Sequence, residues 1–188
     1  MTNDKYYDWY EDLANELGRA YQDICIIQSI DRLSNNSIDK SHPGYSIISH
    51  LCELAKRDMA LTLYKVWFDK SGKETIEKFY NYSRDIGSKI DIELKLSGKE
   101  KDIEKELKTL RDKYLAHLDH INGKVSVDVE VMIKVLKEIT QKLSDIGDNS
   151  IDSRIAPISM SSVNLELSIQ LGLLSLTKDF ISKEEQHA

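Results

Sequence analysis

The chain is poor in everything that interrupts a helix. It has two prolines and eight glycines in 188 residues, against many lysines, glutamates, leucines and isoleucines. That balance favours helix throughout. Cysteine is scarce too. Cys25 and Cys52 both fall in helical patterns, and they read as small buried apolar residues of a reducing compartment rather than as a disulfide. No apolar run approaches the ~20 residues needed to span a bilayer. The N-terminus, MTNDKYYDWYEDL, has no basic region followed by an apolar run, which argues against a signal peptide. A cytoplasmic protein with no membrane partner is the expectation. An excess of positive charge is missing as well. The net charge is −6, which argues against a broad surface that coats nucleic acid, because backbone affinity comes from counterions released at Lys and Arg. A small local site is still compatible with it.

Several kinds of chemistry are thin. There is no glycine-rich phosphate loop and no paired-carboxylate metal motif. His50 and Cys52 are too close in sequence to make a convincing metal pair, and no second pair completes a zinc set. No metal and no cofactor are expected. His42, before Pro43, reads as an exposed loop residue.

What is present is helical periodicity. Over residues 5 to 33, Tyr6, Tyr10, Leu13, Leu17, Tyr21, Ile24 and Ile27 recur on one face. Trp9 and the tyrosines follow that stripe and read as packing rather than as a base-stacking platform. Residues 34 to 42 read as a polar loop, and Pro43 fits a helix start, where its missing N–H is harmless. The next helix runs to about Phe68, apolar on much of its circumference, with Arg57 and Asp58 paired or at its edge. The word SGKE occurs at Ser71 to Glu74 and at Ser97 to Glu100, each fitting a capping box. A third helical region spans about 73 to 96, bent or split at Gly87. A fourth runs from near Lys99 to near Ile121, closed by Asn122 and Gly123. A fifth covers about Asp128 to Ile146, with Val129, Met132, Ile133, Leu136, Ile139 and Leu143 on one face. Residues 1–147 thus read as one helical domain, 148–162 as a loop or linker, and 163–188 as a C-terminal segment. In that segment Val163, Leu165, Leu167, Ile169, Leu171 and Leu173 alternate as in a strand. Ser161 or Ser162 would equally cap a helix, and either form would serve a dimer.

The chemistry-bearing stretch is Leu110 to Asp119, LRDKYLAHLD. It puts Arg111 and His117 six positions apart. Arginine suits phosphate, because its planar fork carries fixed charge and several donors. Histidine suits proton transfer, with a reference pKa of ~6.5. At ~100° per residue the two side chains stand ~120° apart. They flank the apolar stripe of Leu107, Leu110, Tyr114, Leu118 and Ile121, along the edges of whatever that stripe packs against. Of six arginines, only Arg111 has a histidine five to seven residues downstream. The plain alternative is a surface arginine and a boundary histidine. Lys95, Lys99, Lys101, Lys105, Lys108 and Lys113 lead into and through this helix, interleaved with Glu93, Glu100, Asp102, Glu104 and Glu106. Most of them read as a solvated, salt-bridged face.

The same ten residues resemble the signature of the HEPN superfamily: arginine, a polar residue, four further residues, then histidine. LRDKYLAHLD resembles in particular the branch of bacterial abortive-infection proteins of the U type. Tyr45 to Phe68 is similar to that branch's long second helix, so the resemblance covers roughly residues 1 to 147. It implies a compact helical bundle that pairs as a homodimer through the motif helix, with two arginine–histidine sets facing each other across a cleft. Many members are metal-independent endoribonucleases that act as toxins or in phage defence, and others only bind. Carried over, Arg111 and His117 would be catalytic, and Asp112 would orient Arg111 or the sugar. Lys113, Tyr114, Lys108 and His120 would contact RNA. An antitoxin or sensor protein would be a further partner. Some toxin members carry a tyrosine two residues after the histidine, where a partner nucleotidyltransferase modifies it. Here that position is Asp119, which departs from that form of neutralisation. The alternative implied function is a non-catalytic module that binds a nucleotide or a partner.

Overall fold

The computed structural model describes residues 3–36, 43–96, 100–116, 128–149 and 154–155. The described chain is mainly helical and fits a helical bundle, with no strand among the described residues. Five α-helices are present among the described residues: α1 Asn3–Asn36, α2 Pro43–Leu63, α3 Ile76–Asp85, α4 Glu100–Ala116 and α5 Val129–Asp148. A single π-helical turn, Tyr64–Phe68, follows α2 directly. None of the helices, among the described residues, is long and apolar enough to cross a membrane. The expected strand-like segment at 163–173 and most of 148–162 lie outside the described residues.

The described residues divide into two compact units, one drawn from Met1–Ala20 and Met59–Ser159, the other from Tyr21–Asp58. In the first, the α1 stripe packs as its spacing requires: Tyr6, Tyr10, Leu13 and Leu17 are buried. Phe79 of α3 is the hub of an aromatic cluster. Tyr6 stacks on it with ring centroids 4.8 Å apart, and Trp9 meets it edge-on at 5.7 Å. Leu107 from α4 and Leu136, Ile139 and Leu143 from α5 are wholly buried in the same unit. The expected packing role of Trp9 and the tyrosines is therefore what these contacts show.

The Tyr6 hydroxyl lies 2.6 Å from Ser83 Oγ, and Ser83 Oγ donates in turn to Ser88 Oγ. α5 starts on Asp128, whose carboxylate accepts from the Glu130 and Val131 N–H groups. Near its other end Gly147 has no room for a side chain. A Cβ there would stand 2.8 Å from the Tyr10 hydroxyl and 2.9 Å from Ile155 Cγ2.

In the second unit, Ile24, Ile27 and Ile30 of α1 and Ile48, Cys52 and Ala55 of α2 are buried. Cys25 and Cys52 are buried, and neither forms a disulfide. His50 is exposed while Cys52 is buried, so they do not share a face. Arg57 Nε donates to Asp58 at 3.1 Å, the pairing expected for these two charges.

Four boundaries differ from the sequence expectation. α1 continues to Asn36, into the stretch read as loop. The helix expected to reach Phe68 changes to the π-helical turn at Tyr64, because the Asp69 N–H bonds Tyr64 O at 2.9 Å, five residues back. The first SGKE is not a capping box. Ser71 gives both its N–H and its hydroxyl to Asp69 Oδ1, forming a turn, and Thr75 caps α3 by accepting from the Lys78 N–H. The third helical region stops at Asp85. Gly87, at φ +99°, donates to Arg84 O, and Ser88 N–H returns to Ser83 O. This pair of bonds is a Schellman ending, and it needs the left-handed geometry that glycine adopts freely. Residues 88 to 96 consequently run as non-helical chain. The second SGKE begins outside the described residues, and α4 starts at its glutamate, Glu100.

Candidate functional site

The motif helix α4 is built on Ile103, Leu107 and Leu110, all buried, which fixes the face that packs. Arg111 comes one residue after that stripe and lands at its edge, its side chain 27% exposed. This is the flank position that the sequence spacing assigns to it.

Three groups surround the guanidinium. Its Cζ lies 4.4 Å from the centroid of the Tyr64 ring, a cation on an aromatic face. Its Nε and Nη2 both donate to Asp112 Oδ1, at 2.9 and 2.5 Å. Asp69 is near enough for the two charges to act on each other. Nη1 has no partner among the described residues. Asp112, expected to orient Arg111 or the sugar, is the residue that accepts the Nε and Nη2 bonds.

The electrostatics follow from this grouping. The hydrogen bond to Asp112 holds the Arg111 proton more tightly than usual, against the opposing effect of burial. The Asp69 carboxyl sits below its ordinary range, chiefly through the Ser71 hydroxyl, with the Arg111 charge adding to it. Burial pushes the Tyr64 phenol up, and Arg111 opposes this. The site therefore holds a permanent cation with two carboxylates beside it. Among the described residues, the guanidinium has one covered face, one occupied edge and one nitrogen without a partner, an arrangement suited to meeting an anion.

Of the other expected residues, Lys108 is exposed on α4. The side chains of Lys113 and Tyr114 lie outside the described residues, as do His117, Asp119 and His120 entirely. The Arg111–His117 pairing thus stays a reading of spacing. No group of three His, Cys, Asp or Glu side chains suited to a metal occurs among the described residues.

Two members of the Arg111 setting escaped the sequence reading: Tyr64 and Asp69. Both belong to the π-helical turn and its exit, and no periodic signal links that turn to a helix so far along the chain. The only local hint is the aromatic-rich word YKVWF that ends the α2 pattern. No protein-family model matches the chain, and no curated protein or solved structure matches it either.

Proposed function

We propose that the chain is a metal-independent endoribonuclease of HEPN type, acting as a toxin or abortive-infection effector in phage defence. The observation that carries this reading is the arginine–polar–histidine spacing of Arg111, Asp112 and His117. The setting of Arg111 supports it: the guanidinium sits at the edge of the packed face of α4, mostly covered, and donates to Asp112. A cytoplasmic homodimer would bring two such sets together.

In this reading His117 removes the proton from a ribose 2′-OH while that oxygen attacks the adjacent phosphorus. A second histidine, from the partner copy, protonates the leaving 5′-oxygen. The P–O2′ bond forms, the P–O5′ bond breaks, and the products are a 2′,3′-cyclic phosphate and a 5′-OH. General acid–base help of this kind is worth ~10²–10⁴-fold. Arg111 neutralises charge on the phosphorane, which counts most where water is scarce. Lys108, Lys113, Tyr114 and His120 contact the RNA in this reading.

The test is incubation of the purified protein with total tRNA and rRNA in EDTA, beside Arg111→Ala and His117→Ala. Cleavage by wild type alone supports the proposal. Cleavage that needs magnesium, or that acts equally on DNA, overturns it, because DNA lacks the attacking hydroxyl.

One feature favours a second reading, a non-catalytic module that binds a nucleotide or a partner such as an antitoxin. Asp112 occupies the Nε edge of Arg111, Asp69 adds a further negative charge nearby, and the net charge is −6. Toxicity on expression separates the two: the enzyme is toxic and loses toxicity in His117→Ala, whereas the module shows no such difference.

A further inference from the structure

An arginine side chain turns about several bonds, and a guanidinium that must meet a phosphate at a set angle loses effect through that freedom. Two contacts remove it here. The Tyr64 ring lies under Cζ, 4.4 Å away, and Asp112 Oδ1 accepts from both Nε and Nη2. Nη1 is left over. Tyr64 itself is firmly seated, 8% exposed at the first position of the π-helical turn, whose closing bond runs to its own carbonyl. Wide turns of this kind recur at functional sites, and this one begins at the residue that meets Arg111. The contact shown between Tyr64 and Arg111 is through the ring face.

We propose that Tyr64 is a positioning residue, whose ring holds the Arg111 guanidinium in the plane from which it meets a phosphate oxygen. The inference rests on the ribonuclease reading above, and its test is arranged so that the two fail separately. The full chain is prepared as wild type, Tyr64→Phe, Tyr64→Leu and Arg111→Ala. Single-turnover cleavage of bulk tRNA in EDTA is followed. The Arg111 Nε–H resonance is recorded in ¹⁵N-labelled protein while inorganic phosphate is added.

Tyr64→Phe keeps the face and should cleave within about twofold of wild type, with the same phosphate response. Tyr64→Leu should lower the saturated rate at least ~10-fold, with little change in the protein concentration giving half the maximal rate, because orientation acts on the chemical step. Its Arg111 resonance should no longer follow phosphate. Should Tyr64→Leu fold and cleave like wild type while Arg111→Ala is dead, the positioning role is overturned and the ribonuclease reading stands. Should wild type not cleave at all, the ribonuclease reading fails and the phosphate titration decides alone. A response in wild type and Phe that is lost in Leu supports the role; equal responses, or none in wild type, overturn it. Where Tyr64→Leu does not fold, Tyr64→Met is read in the same way.

Discussion

The two units treat their buried polar groups differently. In the first, the Tyr6 hydroxyl, Ser83 and Ser88 form a connected chain, Thr140 donates to Leu136 O, and the Tyr80 hydroxyl reaches Ile90 O. Trp9 Nε1 is the exception, buried without a partner among the described residues. In the second unit, the half-buried Asp23 makes no ion pair with a described residue. The charge acting on it is that of Asp58, of its own sign. Ser29 Oγ is also buried without a described partner, and Ile47 and Leu51 are exposed on α2. Burying an unpaired polar group costs more than a made hydrogen bond returns. The contrast places an aromatic anchor in the first unit and a pH-sensitive carboxyl in the second.

That contrast can be broken or sharpened by substitution. The largest effect should come from Phe79→Ala, which empties the centre of the aromatic cluster and should cost ~3–5 kcal/mol in denaturant unfolding. A loss of ~1 kcal/mol would mean the cluster does not anchor this unit. Tyr6→Phe keeps the stack on Phe79 and removes only the bond to Ser83, so a loss of ~1–2 kcal/mol is expected; no loss would remove the case that satisfied polar groups distinguish this unit. Thr75→Ala uncaps α3 and should cost ~1 kcal/mol, measured as a shift in the urea midpoint, with an unchanged midpoint counting against the cap.

The effect specific to the second unit concerns pH. Burial, with Asp58 adding to it, pushes the Asp23 carboxyl up from 3.8 to about 7. The folded state then binds this proton more tightly than the unfolded chain. Asp23 contributes most below about pH 4, and that contribution is lost as pH rises towards 7. Asp23→Asn should flatten the fall in Tm between pH 4 and 8. A slope identical to wild type would show that Asp23 is not the group responsible.

What the sequence made legible was whatever depends on period. The stripes of α1 and α5 and the edge position of Arg111 all follow from residues repeating at helical spacing, and burial agrees with them. What it hid was local competition for hydrogen bonds. Ser71 looked like a cap because of its neighbours to the C-terminal side, but Asp69, two residues earlier, takes both its donors. Gly87 read as a bend or a split, and only the returning bonds to Ser83 and Arg84 make it an end. Tyr64 was hidden for another reason: its partner on α4 is distant in sequence, and a cation on a ring leaves no spacing to read.

The π-helical turn bears on how this chain should be lined up with others. Between Tyr64 and Phe68 the backbone carries one residue more than an α-helix of the same axial length would use. Anyone counting periodicity from Pro43 onward falls out of phase there by one position, about 100° of rotation. A relative with a plain α-helix in this place would therefore align with a single-residue gap inside 64–68. An ungapped alignment carried through it would set the residues after Tyr64 one position out of step.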